Sequence, residues 1–181
     1  MSAVTCQQKS EAICHHLAHS TWVKSARTIL AYTSFRNEPD LMPLIQSSTD
    51  GMTFQPKPIW GLPRCQGRLM TWHSWHPVYS PPLQSGAYGI LEPAADTPTI
   101  DSDRLTPQDV ILVPAVGCDR QGYRIGYGGG FYDRMLSLVP WSTLFTIGIV
   151  FDCSLKERLP IDPWDQPLMA ICTESGIWSV K

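Results

Sequence analysis

Residues 112–136 read LVPAVGCDRQGYRIGYGGGFYDRML. The apolar run Val110–Val116 enters a glycine-dense loop that opens directly onto a segment of helical pattern, Phe131–Val139. A buried apolar strand, a loop and a helix in that order form the unit of a parallel α/β sheet, and ligands of such sheets gather at the carboxyl ends of the strands. Four glycines in five positions (Gly126, Gly128, Gly129 and Gly130, interrupted by Tyr127) reach backbone conformations closed to other residues and bring bare N–H groups against a ligand. A helix starting near Phe131 adds its positive end to the same spot, so the loop suits phosphate. GYGGG matches neither GxxxxGK[ST] nor GxGxxG, and a ligand-free strand-to-helix turn would use the same glycines. Arg124, Asp133 and Arg134 lie in the same window and supply two cations and a carboxylate, the groups that an anion with a bound divalent metal needs.

Outward from this stretch, strand and helix patterns alternate. Upstream, Ile13, Leu17 and Trp22 predict a helix over Ser10–Val23 with Ser10 as its N-cap. A short apolar strand follows at Thr28–Tyr32, then the loop SFRNEPD and a helix in LMPLIQSS with Pro43 in its first turn. Met52–Phe54 reads as a strand, and the Pro- and Trp-rich region Pro56–Pro98 predicts short strands joined by turns. Downstream come strands at Thr146–Phe151, Ala170–Thr173 and Gly176–Val180. The alternation predicts an α/β fold: a single three-layer α/β/α domain over residues 1–181 with a mostly parallel central sheet.

Composition narrows the function classes. The chain has 181 residues, enough for one ordinary domain and too few for two of typical size. Fourteen Lys and Arg against sixteen Asp and Glu leave a formal charge of -2, so no basic field exists to attract nucleic acid. The six cysteines, at positions 6, 14, 65, 118, 153 and 172, form no CxxC pair and read as reduced thiols. The first residues lack a basic segment followed by an apolar one, and no apolar run approaches membrane-spanning length. The expectation is a cytoplasmic protein that engages neither membrane nor nucleic acid, as a monomer or weak homo-oligomer.

Asp165 lies in LPIDPWDQPL after the TIGIVF strand, where a strand-end loop would bring it beside Asp133; two carboxylates plus phosphate oxygens suit Mg²⁺, although Asp165 would equally cap a turn. Glu38 and Asp40 in FRNEPD are candidates to contact a polar ligand from the end of the first strand, or simply acids of a loop and helix start. His73 and His76 have HxxH spacing without a Cys or carboxylate to complete a metal set, and His15, His16 and His19 fall on the first helix as solvated residues. Trp60, Trp72 and Trp75 read as core, with an aromatic pocket for a flat heterocycle as the other use. No Ser-His-Asp or Cys-His arrangement stands out and no lysine sits at the glycine loop, so the chemistry reads as electrostatic, in the manner of phosphoryl transfer.

From about Ser10 to Glu174 the sequence resembles the 5-formyltetrahydrofolate cyclo-ligase family, also called 5,10-methenyltetrahydrofolate synthetase. The resemblance lies in VPAVGCDRQGYRIGYGGGFYDR, with supporting matches in AYTSFRNEPD, GILEP and LPIDPWDQPLMAICTE. It implies an ATP- and Mg²⁺-dependent conversion of 5-formyltetrahydrofolate to 5,10-methenyltetrahydrofolate with release of ADP and phosphate. It also implies that Arg124, Gly126, Tyr127, Gly128, Gly129, Gly130, Phe131 and Tyr132 line the nucleotide phosphates and part of the folate, with Arg124 and Tyr132 as catalytic residues. Phe35, Glu38, Asp40 and Tyr127 would contact the folate, and Asp133 and Asp165 would hold Mg²⁺. The basic N-terminal helix of the family has no counterpart here, Gly129 stands where many relatives have lysine, Trp164 replaces the usual histidine before Asp165, and Met169 replaces a common aspartate. These departures leave a non-catalytic folate- or nucleotide-binding paralogue as the alternative, and a sugar-phosphate isomerase-like enzyme as a third class.

Overall fold

Alternate residues of the apolar strands point to opposite faces, and each face is covered. The computed structural model describes residues 2–49 and 53–180. Its helices are α1 (Ala3–His19), α2 (Thr21–Ser25), α3 (Met42–Ser47) and α4 (Phe131–Leu136). Its strands are β1 (Thr28–Leu30), β2 (Ile59–Gln66), β3 (Leu69–Ser74), β4 (Gln84–Ser85), β5 (Leu91–Glu92) and β6 (Val110–Pro114), followed by β7 (Gly117–Asp119), β8 (Arg124–Ile125), β9 (Phe145–Ile149), β10 (Leu155–Lys156), β11 (Ala170–Thr173) and β12 (Gly176–Ser179). Seven of these form the central sheet in the order β12-β11-β9-β6-β1-β2-β3. The five inner strands run parallel, and β12 and β3 close the two edges antiparallel.

On one face Ile29, Val110, Leu112, Ile147, Ile149, Ala170 and Cys172 pack against Ile13 and Leu17 of α1, Val23 of α2, and Leu44 and Ile45 of α3. On the other face Leu30, Ile111 and Val113 meet Met135 and Leu136 of α4 together with Leu144. This is the three-layer α/β/α arrangement expected from the sequence, with β6 at the centre and its first four residues buried. Beside it a small three-stranded sheet, β10-β7-β8, begins as soon as β6 ends and holds Arg124 in place.

Several boundaries differ from the sequence reading. The first helix starts at Ala3, capped by the Ser2 hydroxyl, which accepts from the Thr5 N–H at 3.2 Å. Ser10 is not a cap; it is buried within α1, donates to the Cys6 carbonyl and accepts the Asp40 N–H. Trp22 belongs to a separate short helix, α2, because the chain turns out of helical geometry at Ser20. The helix expected over Phe131–Val139 ends at Leu136, ahead of Pro140, which cannot continue a helix. Met52 lies outside the described residues, while Thr53 and Phe54 are not in a strand and Phe54 packs edge-on against Trp60 in the core.

The proline-rich region holds a longer hairpin than expected, eight residues of β2 against six of β3. Pro63 is tolerated because it lies past Gly61, the last β2 residue in register with β1, where β2 has a strand partner on one side only. Trp60, Trp72 and Trp75 are all buried, and His73 is locked between the Thr97 carbonyl and the Thr71 hydroxyl, so these residues are structural. All six cysteines are unpaired.

Candidate functional site

A cleft of about 1170 Å³ opens where β1 and β6 end, with the glycine loop as one wall. Its floor comes from Tyr32 and Thr33 after β1 and from Pro114 at the end of β6. The loop between β10 and β11 closes one side with Asp162, Trp164, Asp165 and Gln166. Of the residues expected to meet nucleotide, substrate or metal, all except Asp40 line this cleft.

Arg124 organises the part of the cleft beside the glycine loop. Its side chain is only 5% exposed; Nη2 donates to Asp133 Oδ1 at 2.9 Å and Nη1 to the Gln166 carbonyl at 3.1 Å. Gln166 N–H in turn donates to the same Asp133 oxygen at 3.4 Å, so β8, the start of α4 and the distant loop that carries Gln166 close into one ring of hydrogen bonds. The guanidinium also lies 5.7 Å from the Tyr132 ring centroid, a cation–π contact. Burial pushes the Tyr132 phenol far above its ordinary range, with Glu38 adding to the rise.

Backbone geometry explains the glycines at two positions. Gly128 has φ +84° and Gly130, which precedes α4, has φ +61°, both in the left-handed region that side chains disfavour. A Cβ at Gly126 or Gly128 would meet nothing within 4 Å, so the loop presents open, bare backbone to the cleft. Asp119 anchors the turn before it: this fully buried carboxylate accepts the Gln121 and Tyr123 N–H groups through Oδ1 and the Leu159 N–H through Oδ2. Gly122, at φ +90°, accepts the Leu168 N–H at 2.9 Å and ties the same turn to the loop that carries Asp165.

Against the glycine loop stands an aromatic and acidic segment that follows β1. Phe35 and Tyr127 meet edge-on with ring centroids 5.4 Å apart, and the Arg36 guanidinium lies over both rings at 4.9 and 5.3 Å. Glu38 Oε2 accepts the Phe35 N–H at 2.9 Å, and burial pushes its carboxyl up to about 7 against the opposing pull of that N–H. Asp40 stands apart from the cleft: its carboxylate accepts the Met42 N–H at the start of α3, and its backbone is tied to Ser10 and Cys14 of α1. Sequence reasoning passed over Glu92, which is 3% exposed, lines the cleft, and accepts the Cys65 N–H at 3.1 Å. Its signal was the GILEP motif, where a lone acid among apolar residues and a proline marks a partnered carboxylate.

The donor set fits a hard divalent cation of the Mg²⁺ kind. Asp133 and Asp165 each commit one carboxylate oxygen within the protein, to Arg124 and Gln166 and to the Asp162 N–H respectively, and the other oxygen of each has no hydrogen-bond partner among the described residues. Among the described residues no group of three or more His, Cys, Asp or Glu forms a self-sufficient metal cage. Mg²⁺ is held in that way, by one or two carboxylates with water and substrate phosphate completing its shell.

Comparison with known proteins decides among the classes this site would serve. The sequence profile of the 5-formyltetrahydrofolate cyclo-ligase family matches residues 1–174. The chain belongs to that family. The 5-formyltetrahydrofolate cyclo-ligase of Escherichia coli K12 is 35% identical over 156 residues, covering 86% of this chain and 82% of the relative. That of Haemophilus influenzae is 27% identical over 179 residues, covering 94% and 88%. Among solved structures, the Aquifex aeolicus 5,10-methenyltetrahydrofolate synthetase superposes with a TM-score of 0.82 at 28% identity, covering all of this chain and 86% of that one. A synthetase from Mycoplasma pneumoniae, at 20% identity and a TM-score of 0.71, shares the fold. The cyclo-ligase fold is therefore the one built here around β6 and the glycine loop. Among the described residues no helix is long and apolar enough to cross a membrane.

Proposed function

We propose that this chain converts 5-formyltetrahydrofolate to 5,10-methenyltetrahydrofolate with cleavage of ATP to ADP and phosphate, in the cytoplasm. The observation that carries this reading is a single cleft in which a bare glycine loop and a buried arginine meet an aromatic, acidic segment that follows β1. The loop and arginine suit polyphosphate, and the aromatic, acidic segment suits a flat, hydrogen-bonding heterocycle such as a pterin. Arg124 and the loop from Gly126 to Tyr132 hold the phosphates, with Arg124 and Tyr132 beside the reacting atoms. Phe35, Glu38 and Tyr127 hold the folate.

In this reading the formyl oxygen attacks the γ-phosphorus as ADP leaves, N10 then closes on the activated carbon, and phosphate departs with the former formyl oxygen and the proton given up by N10. The protein contributes position and charge, since among the described residues no side chain in the cleft is placed as an activated nucleophile: the Cys65 thiol, the one thiol in the lining among them, is pushed up to about 11 by burial. Mg²⁺ held by Asp133 and Asp165 would offset phosphate charge when bound.

The direct test supplies ATP, Mg²⁺ and 5-formyltetrahydrofolate and follows ADP release together with the near-ultraviolet absorbance of the methenyl product. Equal amounts of both products support the assignment. A folded protein that binds MgATP and folate without forming either product overturns it.

A further inference from the structure

We infer that Arg36 binds a glutamate carboxylate of the folate substrate and makes the cleft select folates that carry that charge, an inference that rests on the folate reading of the cleft. Among the described residues the cations that line the cleft are Arg36, Arg124 and Arg134. Arg124 is paired with Asp133 and bound to the Gln166 carbonyl, and Arg134 donates to the Arg68 carbonyl. Arg36 forms no ion pair and no side-chain hydrogen bond among the described residues. It is the lining cation whose charge and donors are open to a ligand.

The backbone is shaped to present it. Arg36 has φ +55°, in the left-handed region; among the described residues Tyr88 is the other non-glycine residue with positive φ, and both line the cleft. A side chain adopts that conformation at a cost, and residues held in it cluster at ligand clamps. The turn around Arg36 is braced from both ends: Glu38 N–H donates to the Phe35 carbonyl at 3.2 Å, and Phe35 N–H donates to Glu38 Oε2 at 2.9 Å. Glu38 thus spends that oxygen inside the turn and forms no ion pair with Arg36.

The guanidinium carbon lies 4.9 Å from the Phe35 ring centroid and 5.3 Å from that of Tyr127. Ring contacts of this kind hold a guanidinium in place without consuming its N–H donors, and a planar fork with free N–H groups matches a carboxylate through two parallel hydrogen bonds. Placement then selects the ligand group. Phe35 and Tyr127 are the rings given to the folate above, and Arg36 is exposed beside them. 5-Formyltetrahydrofolate carries its negative charge on the glutamate, at the end remote from the pterin and N5, so a folate that buries its pterin in the cleft brings that end toward solvent and the unpaired arginine.

Steady-state kinetics with the full chain, in excess ATP and Mg²⁺, test this by comparing 5-formyltetrahydrofolate with its diamide, in which both glutamate carboxylates are neutral amides. The wild-type KM is expected to be about tenfold lower for the charged folate. Arg36→Gln should bring the two KM values within about twofold of each other, chiefly by raising KM for the charged folate. Arg36→Gly removes the guanidinium while relaxing the left-handed backbone, and serves as the readout if Arg36→Gln does not fold. Equal wild-type KM values, a ratio in the variants unchanged from wild type, or a rise in KM for ATP in place of the lost preference would overturn the inference and leave the activity standing. Absence of methenyl product from either folate with wild type would overturn the folate reading itself and the inference with it.

Discussion

Replacing Glu38 by glutamine should stabilise the protein by an amount that grows as the pH rises above 4.5 and is complete just above pH 7. The carboxyl is half-buried beside Tyr32, Tyr127 and Tyr132, and it titrates near 7 because burial disfavours its charged form. In the unfolded chain it titrates near its ordinary value of 4.5. The folded state therefore holds the proton more tightly; its favourable contribution is complete below pH 4.5 and is lost as the pH rises through about 7. At about 1.4 kcal/mol for each pH unit, the separation sets a ceiling of roughly 3 kcal/mol, which solvent reaching the open side of the cleft reduces to about 1–2 kcal/mol. Glutamine keeps an oxygen to accept the Phe35 N–H and has no proton to lose. Urea denaturation of the ligand-free proteins at pH 4.5, 6, 7 and 8 should show the advantage of Glu38→Gln growing by about 1–2 kcal/mol across the series. The three tyrosines do not blur this window, since burial moves their phenols up and further from it. A constant difference between the two proteins at every pH would refute the reasoning.

Three further substitutions probe the scaffold and its cation. Gly122→Ala forces a side chain into φ +90° and places its Cβ 2.4 Å from the Leu168 carbonyl oxygen; it should lose roughly 2–4 kcal/mol and lower the melting temperature by about 5–12 °C in a thermal scan, and an unchanged melting temperature would contradict the geometry. Asp119→Ala leaves three N–H groups, of Gln121, Tyr123 and Leu159, without their acceptor, and should cost about 3–5 kcal/mol by urea denaturation, whereas a loss below about 1 kcal/mol would mean that water replaces the carboxylate freely. Arg124→Lys retains the charge but cannot bond Asp133 and the Gln166 carbonyl through one planar fork; kcat/KM for ATP should fall about tenfold or more, and full activity would show that the site needs a point charge alone.

What the sequence revealed and what it concealed follow from how far each feature depends on distant contacts. The β6 strand, the glycine loop and the start of α4 are contiguous, and each announces itself locally through apolar content, glycine or helical pattern. Hence Arg124, Asp133 and the loop glycines were legible as one strand-loop-helix unit, and they line one cleft. The first two turns of α1 were hidden because their inward positions are Cys6, Lys9 and Ser10, whose polar or thiol side chains give no apolar period; the apolar pattern begins only at Ile13. The β2–β3 hairpin was hidden by Pro63, whose acceptability depends on β1 ending early. Glu92 and Asp119 were hidden for a third reason: each is a buried carboxylate whose partners, Cys65 N–H and Leu159 N–H, lie 27 and 40 residues away.

The same distinction separates the two candidates in FRNEPD. Glu38 and Asp40 are two residues apart and chemically alike, so local sequence gives no basis for choosing between them. The fold separates them through what each meets: Glu38 returns to the Phe35 N–H and enters the cleft, while Asp40 caps the entry to α3 and is held against α1 by Ser10 and Cys14. That division has a mechanical reason. The chain must leave β1 at the floor of the cleft and reach α3 on the other face of the sheet within eleven residues, from Ala31 to Leu41, so it passes from the site to the helical layer between these two acids. One acid therefore lines the cleft, and the other serves the helix that fixes where the first one stands.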